Sequence, residues 1–368
     1  MKDAFDHAAL NGEKEPPAAP ELPYLPQKPP AASPDIGLVG CGGIAHRHLA
    51  AYQALGLRVA ALCDVNPERA ETLRKLYYPE AAVFTDYRKL LRDDNIGVVD
   101  AATHPAERAG IIEDALCAGK HVLSQKPFVT DLDRGLQLVE LADSQNLKLA
   151  VNQNGRWAPH FSYMRQAAAK GLIGEVVSAR ITLHWDHTWT AATPFNTTPH
   201  LALFDFGIHW FDLVCALLPD RKPRRVFAST ETAPGQAARP PLLAHAVIDY
   251  DGAQASIAMN GAVRAGGDDH TVVAGTMGLL TGRGPALERQ RVTLATAAGA
   301  AGAALEGDWA ANGFQGTMCE LLDAIAHNRR HYNSARENLD SLALCFAAVA
   351  SSVEGVPKTP WTVRRLPE

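Results

Sequence analysis

Ile36-Gly37-Leu38-Val39-Gly40-Cys41-Gly42-Gly43-Ile44-Ala45 is the stretch of this chain that decides its fold class. An apolar run passes directly into glycines at 40, 42 and 43, and a segment of helical composition begins at 44. In a strand-turn-helix unit of this kind the first glycine permits the sharp turn and the second lets backbone approach a phosphate. The third small residue, here Ala45, lets helix and strand pack closely. The helix then aims its unpaired N–H groups and the positive end of its dipole at the turn, where a pyrophosphate can sit.

Outward from this turn, short apolar runs alternate with amphipathic stretches. The runs are Ile36 to Val39, Val59 to Cys63, Val98 to Ala101, His121 to Leu123 and Leu147 to Val151. Helical segments lie near 44–55, 67–77, 105–118 and 131–145, the last with Asp131 as its N-cap. Such alternation builds a doubly wound parallel sheet, so residues 35–153 are expected to form an α/β Rossmann domain.

After it the rhythm changes. A helix near 157–170, a strand from Glu175 to His184 and a helix from about Leu201 to Leu217 precede β-like runs at 225–230, 244–250, 253–259, 271–274 and 291–294. Short turns such as Tyr250-Asp251-Gly252 indicate antiparallel pairing. With closing helices near 309–327 and 335–353, residues 154–368 are expected to be an α+β domain with a large, mainly antiparallel open sheet. That domain would bind substrate and, because an open sheet needs covering, join subunits into a homodimer or homotetramer. Ala295 to Ala304 is expected to be a loop. Residues 1–34 carry eight prolines between Pro16 and Pro34, together with Leu22, Tyr24 and Leu25. They leave two readings open: a disordered tail, or an arm across its own domain or a neighbouring subunit.

An apolar share of 47% and a charged share of 20% suit a globular chain. The net charge of -5 leaves no basic surplus to release phosphate counterions, which argues against a nucleic-acid partner and for a small ligand. Six cysteines without a CxxC pair read as reduced core residues. With no apolar stretch of signal-peptide or membrane-spanning length, the expected location is cytoplasmic, with no membrane partner.

Asp64 ends the second expected strand, where a carboxylate can accept both ribose hydroxyls of an adenosine and repel a 2′-phosphate. This favours NAD over NADP; Arg69, a turn into the next helix, reads as a solvated residue. Thr103, His104 and Lys126 follow later strands and should face the same carboxyl edge of the sheet. The expected cofactor set is Gly40, Gly42, Gly43, Ile44, Asp64, Asn66, Thr103, His104, Gln125, Lys126 and Asn154.

Three segments in this order, Gly40-Cys41-Gly42-Gly43-Ile44-Ala45, Gly119-Lys120-His121-Val122-Leu123-Ser124-Gln125-Lys126-Pro127 and Asp205-Phe206-Gly207-Ile208-His209-Trp210-Phe211-Asp212, give the chain a resemblance. From Asp35 onward it resembles the family of glucose-fructose oxidoreductase, inositol dehydrogenase and the rhizopine-catabolism proteins (Gfo/Idh/MocA). The resemblance implies an NAD-dependent dehydrogenase acting on CH–OH groups, with Lys126, Asp205 and His209 in catalysis. One departure stands out: the family usually has Glu-Lys-Pro, and this chain has Gln125-Lys126-Pro127. Glutamine keeps the shape and hydrogen bonding but removes a charge that would favour protonated lysine.

The third segment also reads without the resemblance. On a helix, positions 205, 209 and 212 share one face, and Phe204, Phe206, Ile208, Trp210, Phe211 and Leu213 cover the other directions. So narrow an ionisable stripe on a buried helix must face a polar cavity. His209 is the natural general base for a hydroxyl proton, Lys126 would stabilise alkoxide charge, and Asp205 would orient His209 or accept a substrate hydroxyl.

Asn152-Gln153-Asn154-Gly155-Arg156-Trp157 joins the domains, and His184-Trp185-Asp186-His187-Thr188-Trp189 leaves the first strand of the second. Polar groups interleaved with tryptophans suit a sugar or cyclitol, so Arg156, Trp157, Asp186, His187, Asp205 and His209 are the expected substrate residues. No metal is expected, since the HxxH spacing of His184 and His187 on a strand turns the two rings to opposite faces. Two other functions stay open: an NAD-binding sensor without turnover, and a glycoside-cleaving or 3-keto-sugar-forming enzyme that oxidises transiently.

Overall fold

In a computed structural model of the chain, residues 18–219, 221–286 and 288–368 are described. The first layer follows β1 (Asp35–Val39), α1 (Ala45–Ala54), β2 (Val59–Cys63), α2 (Pro67–Tyr77), β3 (Ala82–Phe84), α3 (Tyr87–Leu90), β4 (Ile96–Ala101), α4 (Pro105–Cys117), β5 (His121–Ser124), α5 (Leu132–Ser144) and β6 (Leu149–Val151). Its six strands are all parallel, in the order β3-β2-β1-β4-β5-β6. The order reverses between β1 and β4, so the crevice opens beyond their carboxyl ends, where Gly40 and Thr103 emerge. Asp131 caps α5 as expected, its carboxylate accepting from the N–H groups of Asp133 and Arg134. β3 was not anticipated: three half-exposed residues carry no periodicity.

The second layer contains α6 (Pro159–Ala169), β7 (Val176–His184), α7 (Ile208–Leu217), β8 (Pro223–Glu231), β9 (Leu243–Tyr250), β10 (Ala253–Asn260), β11 (Asp268–Gly275), β12 (Gly278–Ala286), β13 (Arg289–Thr296) and β14 (Gly299–Ala303). These eight strands run β14-β13-β12-β11-β7-β10-β9-β8, antiparallel except for β7 beside β10. The stretch expected to be a loop at 295–304 is instead the hairpin of β13 and β14. β12 was missed because its glycines and proline mask the alternation.

Two long helices tie the layers together. α8 (Trp309–Ala326) sends Phe314, Met318, Leu321 and Leu322 into one core with Ile36, Leu38, Leu49 and Leu123, so it completes the first layer although it follows the second in sequence. α9 (Ala335–Glu354) packs on β8, α7 and α5. Of the proline-rich arm, residues 1–17 lie outside the described residues. Beyond them the arm crosses its own chain. Leu22 is buried, Tyr163 donates to the Pro20 carbonyl (2.9 Å), and the Glu306 N–H donates to the Tyr24 hydroxyl (2.9 Å). Among the described residues no helix is long and apolar enough to cross a membrane.

Candidate active site

Gly40 turns the chain at a φ of 100°, and a Cβ there would lie 2.9 Å from the Ala102 carbonyl carbon and the Thr103 nitrogen. Only glycine relieves both constraints at once. At Gly42 and Gly43 a Cβ would meet nothing within 4 Å, so the turn faces open space at the start of α1. Ile44, the residue before α1, is exposed beside it. Asp64 is held in place by two backbone donors, Cys41 N–H to Oδ2 (2.7 Å) and Asn66 N–H to Oδ1 (2.8 Å). A carboxylate so anchored still has lone pairs for ribose hydroxyls. The Thr103 hydroxyl is buried without a partner at the same crevice, and exposed His104 opens α4 beside it. Open glycine backbone, a helix N-terminus, an anchored carboxylate and an orphaned hydroxyl together fit NAD. Asn66 has another task, since its side chain caps α2 by accepting from the Glu68 N–H (2.9 Å).

Beneath the turn lies a buried polar chain that sequence reasoning did not single out. His48 Nδ1 and the Tyr52 hydroxyl both meet Asp100 Oδ2, at 2.7 and 2.6 Å, and His48 Nε2 faces Asn152 Nδ2 at 3.2 Å. A proton on Nδ1 makes every contact satisfiable: Nδ1 donates to Asp100 and Nε2 accepts from Asn152. The network ties α1, β4 and the end of β6 together under the cofactor turn.

Lys126 follows β5, and its bond to Pro127 is cis. Arg108 of α4, which is 1% exposed, donates to the carbonyls of Thr103, Gln125 and Pro127 and so joins the crevice to the lysine loop. Its signal was available: Arg108, Ile111, Ile112 and Ala115 form the buried stripe of α4, and a lone arginine in such a stripe needs a reason. Gln125 turns its Oε1 onto the Lys126 N–H (2.9 Å). Lys126 Nζ donates to the Asp205 carbonyl (2.8 Å) and lies 3.4 Å from Asp205 Oδ2.

The expected continuous helix at 201–217 is broken. Residues 202–206 form a π turn that passes through Gly207 into α7. A Cβ on Gly207 would lie 2.4 Å from the Leu203 carbonyl oxygen, so a larger residue there would force the turn open. Wide turns of this kind recur at functional sites. The break places Asp205 in the π turn, while His209 and Asp212 follow on α7. Asp205 meets Lys126 and makes no hydrogen bond to His209, whose Nδ1 is buried without a partner. Burial, reinforced by the Lys126 charge, holds the imidazole of His209 well below its usual pKa. Its ring stands edge-to-face against Trp309, 5.6 Å away at 89°, and against Trp210 at 6.1 Å.

These groups open on one cleft of about 290 Å³. Ile44, Gln125, Lys126 and Asn154 line it from the first layer, and Trp185, His187, Phe206, His209 and Trp210 from the second. Arg47, Glu288, Trp309, Ala310 and Phe314 complete it and were not anticipated, since nothing in the local sequence brings the β12-β13 turn or α8 here. Asn154 accepts from the Trp309 indole (2.9 Å). Both ring nitrogens of His187 are buried and unpartnered.

Three expected substrate residues are elsewhere. Arg156 is sealed in a bidentate pair with Asp212 (2.6 and 2.7 Å) and also donates to the Tyr332 carbonyl, because Asp212 points into the α9 packing and not the cleft. Trp157 is buried against the Tyr332 ring. Asp186 is exposed and occupied by the N–H and hydroxyl of Thr188. Among the described residues no three His, Cys, Asp or Glu side chains gather as metal ligands.

A parallel dinucleotide-type layer facing an antiparallel sheet across a lysine- and histidine-lined cleft defines an NAD-binding protein of two-layer build. Residues 35–153 match the model of the oxidoreductase family with an NAD-binding Rossmann fold, and residues 161–281 match the Gfo/Idh/MocA C-terminal domain. The chain belongs to the Gfo/Idh/MocA family.

It is 28% identical over 190 residues to D-apiose dehydrogenase of Paraburkholderia graminis, which covers 50% of this chain and 49% of that one. It is 29% identical over 188 residues to inositol 2-dehydrogenase of Paracoccus denitrificans, covering 50% and 54%. The chain thus spans about half the length of the curated relatives it matches. Its fold is similar to an oxidoreductase from Agrobacterium radiobacter solved with NAD+, L-tartaric acid and magnesium, at a TM-score of 0.80 and 20% identity over 90% of this chain and 99% of that one. It is also similar to levoglucosan dehydrogenase solved with NADH and levoglucosan, at 0.76 and 21% over 89% and 99%.

Proposed function

We propose that the chain is an NAD-dependent oxidoreductase that moves hydride between a secondary alcohol of a sugar, sugar derivative or cyclitol and the nicotinamide. The observation that carries this reading is the meeting of Lys126 and His209 on one cleft with Ile44 of the glycine turn and Asn154. Bound NAD supplies a reversible hydride acceptor. The chain supplies the proton chemistry. His209, kept unprotonated by burial, lines the cleft and is the base for the hydroxyl proton. Lys126 spends two contacts on Asp205 and has a third N–H for the substrate oxygen, where it stabilises alkoxide charge. Asp205 acts on the lysine, not on the histidine. His187 lines the cleft with ring nitrogens that lack protein partners, which other hydroxyls could bond, and the tryptophans offer surface to C–H faces.

Relatives named for D-apiose, inositol and levoglucosan share this polyhydroxylated character. The open sheet face bears exposed Phe227 beside Val247, which supports a homo-oligomer formed through that face. Six free cysteines suit a reducing, cytoplasmic setting. The test is absorbance at the reduced-nicotinamide band across sugars, inositols, sugar acids and glycosides. Turnover with at least one polyol is expected. NAD binding without turnover would favour a sensor, and product without net NADH would favour transient oxidation.

A further inference from the structure

Asp269 lies in β11, opposite Leu183 of β7 in register, and is fully buried. Its Oδ1 accepts the indole N–H of Trp185, two residues further along from Leu183, while its Oδ2 has no partner. The adjacent acidic residue, Asp268, is paired with Arg283 (3.2 Å), and among the described residues no cation reaches Asp269. Burial accordingly pushes this carboxyl up to about 7, against the indole's pull. A buried, unpaired carboxyl costs stability that a leucine would not. Its one hydrogen bond goes to a side chain of the cleft. Trp185 lines that cleft, with its ring 5.1 Å from Trp210 and 5.0 Å from His187, and its N–H edge is turned away into Asp269.

We propose that Asp269 is a positioning residue: it locks the Trp185 indole as a wall for the C–H face of a polyhydroxylated ring and so sets substrate affinity without touching the reacting atoms. This rests on the oxidoreductase reading given above. Without the acceptor, the indole N–H would be stranded and the ring would turn to find another partner.

The test uses full-length protein with 15N-labelled tryptophan, whose six indole N–H groups give separate signals, and Trp185→Phe identifies the one from Trp185. That signal is expected downfield of the other five, and Asp269→Asn should move it upfield in a protein that still melts cooperatively. With myo-inositol and levoglucosan as probes, Asp269→Leu should raise KM about tenfold with kcat nearly unchanged, and Asp269→Asn should recover most of the loss. In a Trp185→Phe background, Asp269→Leu should add nothing. An unmoved Trp185 signal, equal losses in kcat and kcat/KM, or full additivity with Trp185→Phe would overturn the proposal. Should the wild type oxidise no polyol at all, myo-inositol added with NADH still decides: a Trp185 signal that shifts in the wild type and not in Asp269→Leu upholds the positioning role while the enzymatic reading falls, and no shift in either sinks the role too.

Discussion

Two cation-carboxylate pairs stand near the middle of this molecule, and they are built to opposite ends. Arg156 and Asp212 are 5% and 2% exposed and held bidentately: Asp212 takes both guanidinium contacts and a Ser341 hydroxyl (3.0 Å), while Arg156 also stacks on Tyr332. Lys126 and Asp205 are 15% and 17% exposed, 3.4 Å apart, and leave an ammonium N–H unspent. A buried pair held bidentately serves first to hold the fold together. A pair with a donor to spare can act on something that enters the cleft.

The comparison breaks most visibly at Arg156. Arg156→Ala strands the Asp212 carboxylate in the interior and should cost about 3–5 kcal/mol of stability. Urea unfolding would show it as a large fall in midpoint; a midpoint equal to the wild type would mean that the pair is not structural. Lys126→Met should do the reverse, lowering kcat by about 10²–10³-fold while costing less than about 1 kcal/mol of stability and leaving NAD affinity intact. Parallel titration of NAD and steady-state kinetics on that variant would check both halves.

The third expectation concerns pH. The folded state depresses the His209 pKa, so the base stays unprotonated as pH falls through the ordinary imidazole value of about 6.5, and kcat should stay flat there and decline only well below it. A kcat profile with an acid limb at or above that value, absent in His209→Asn, would contradict the burial argument. The smallest effect is at Asn66. Its side chain caps α2, so Asn66→Ala should cost about 1 kcal/mol in stability and barely change NAD binding. A large loss of NAD affinity with unchanged stability would give Asn66 back to the cofactor.

Much of the first layer was legible because its determinants are local. The apolar runs, the Asp131 cap and the glycine spacing each act within a few residues, and β1, β2, β4, β5 and β6 lie where the alternation puts them. The second layer was less legible where glycine and alanine erase the alternation, as in β12 and β14. For the candidate site, the residue types were visible but their partners were not. A helical stripe through 205, 209 and 212 assumes one environment along an unbroken helix; Asp205 instead lies in the π turn before Gly207, and Asp212 is held by Arg156.

By itself the sequence determined most strands and helices of the first layer, where a dinucleotide turn must form, and which ionisable side chains are candidates for chemistry, since composition and period act over one or two turns of backbone. Tertiary structure alone decided who meets whom. Lys126 finds Asp205 across 79 residues and Asn154 finds Trp309 across 155. Arg156 is spent on Asp212, and Asp269 is set behind Trp185. Such contacts depend on how layers stack and which polar groups are sealed from water, and no local pattern carries that information.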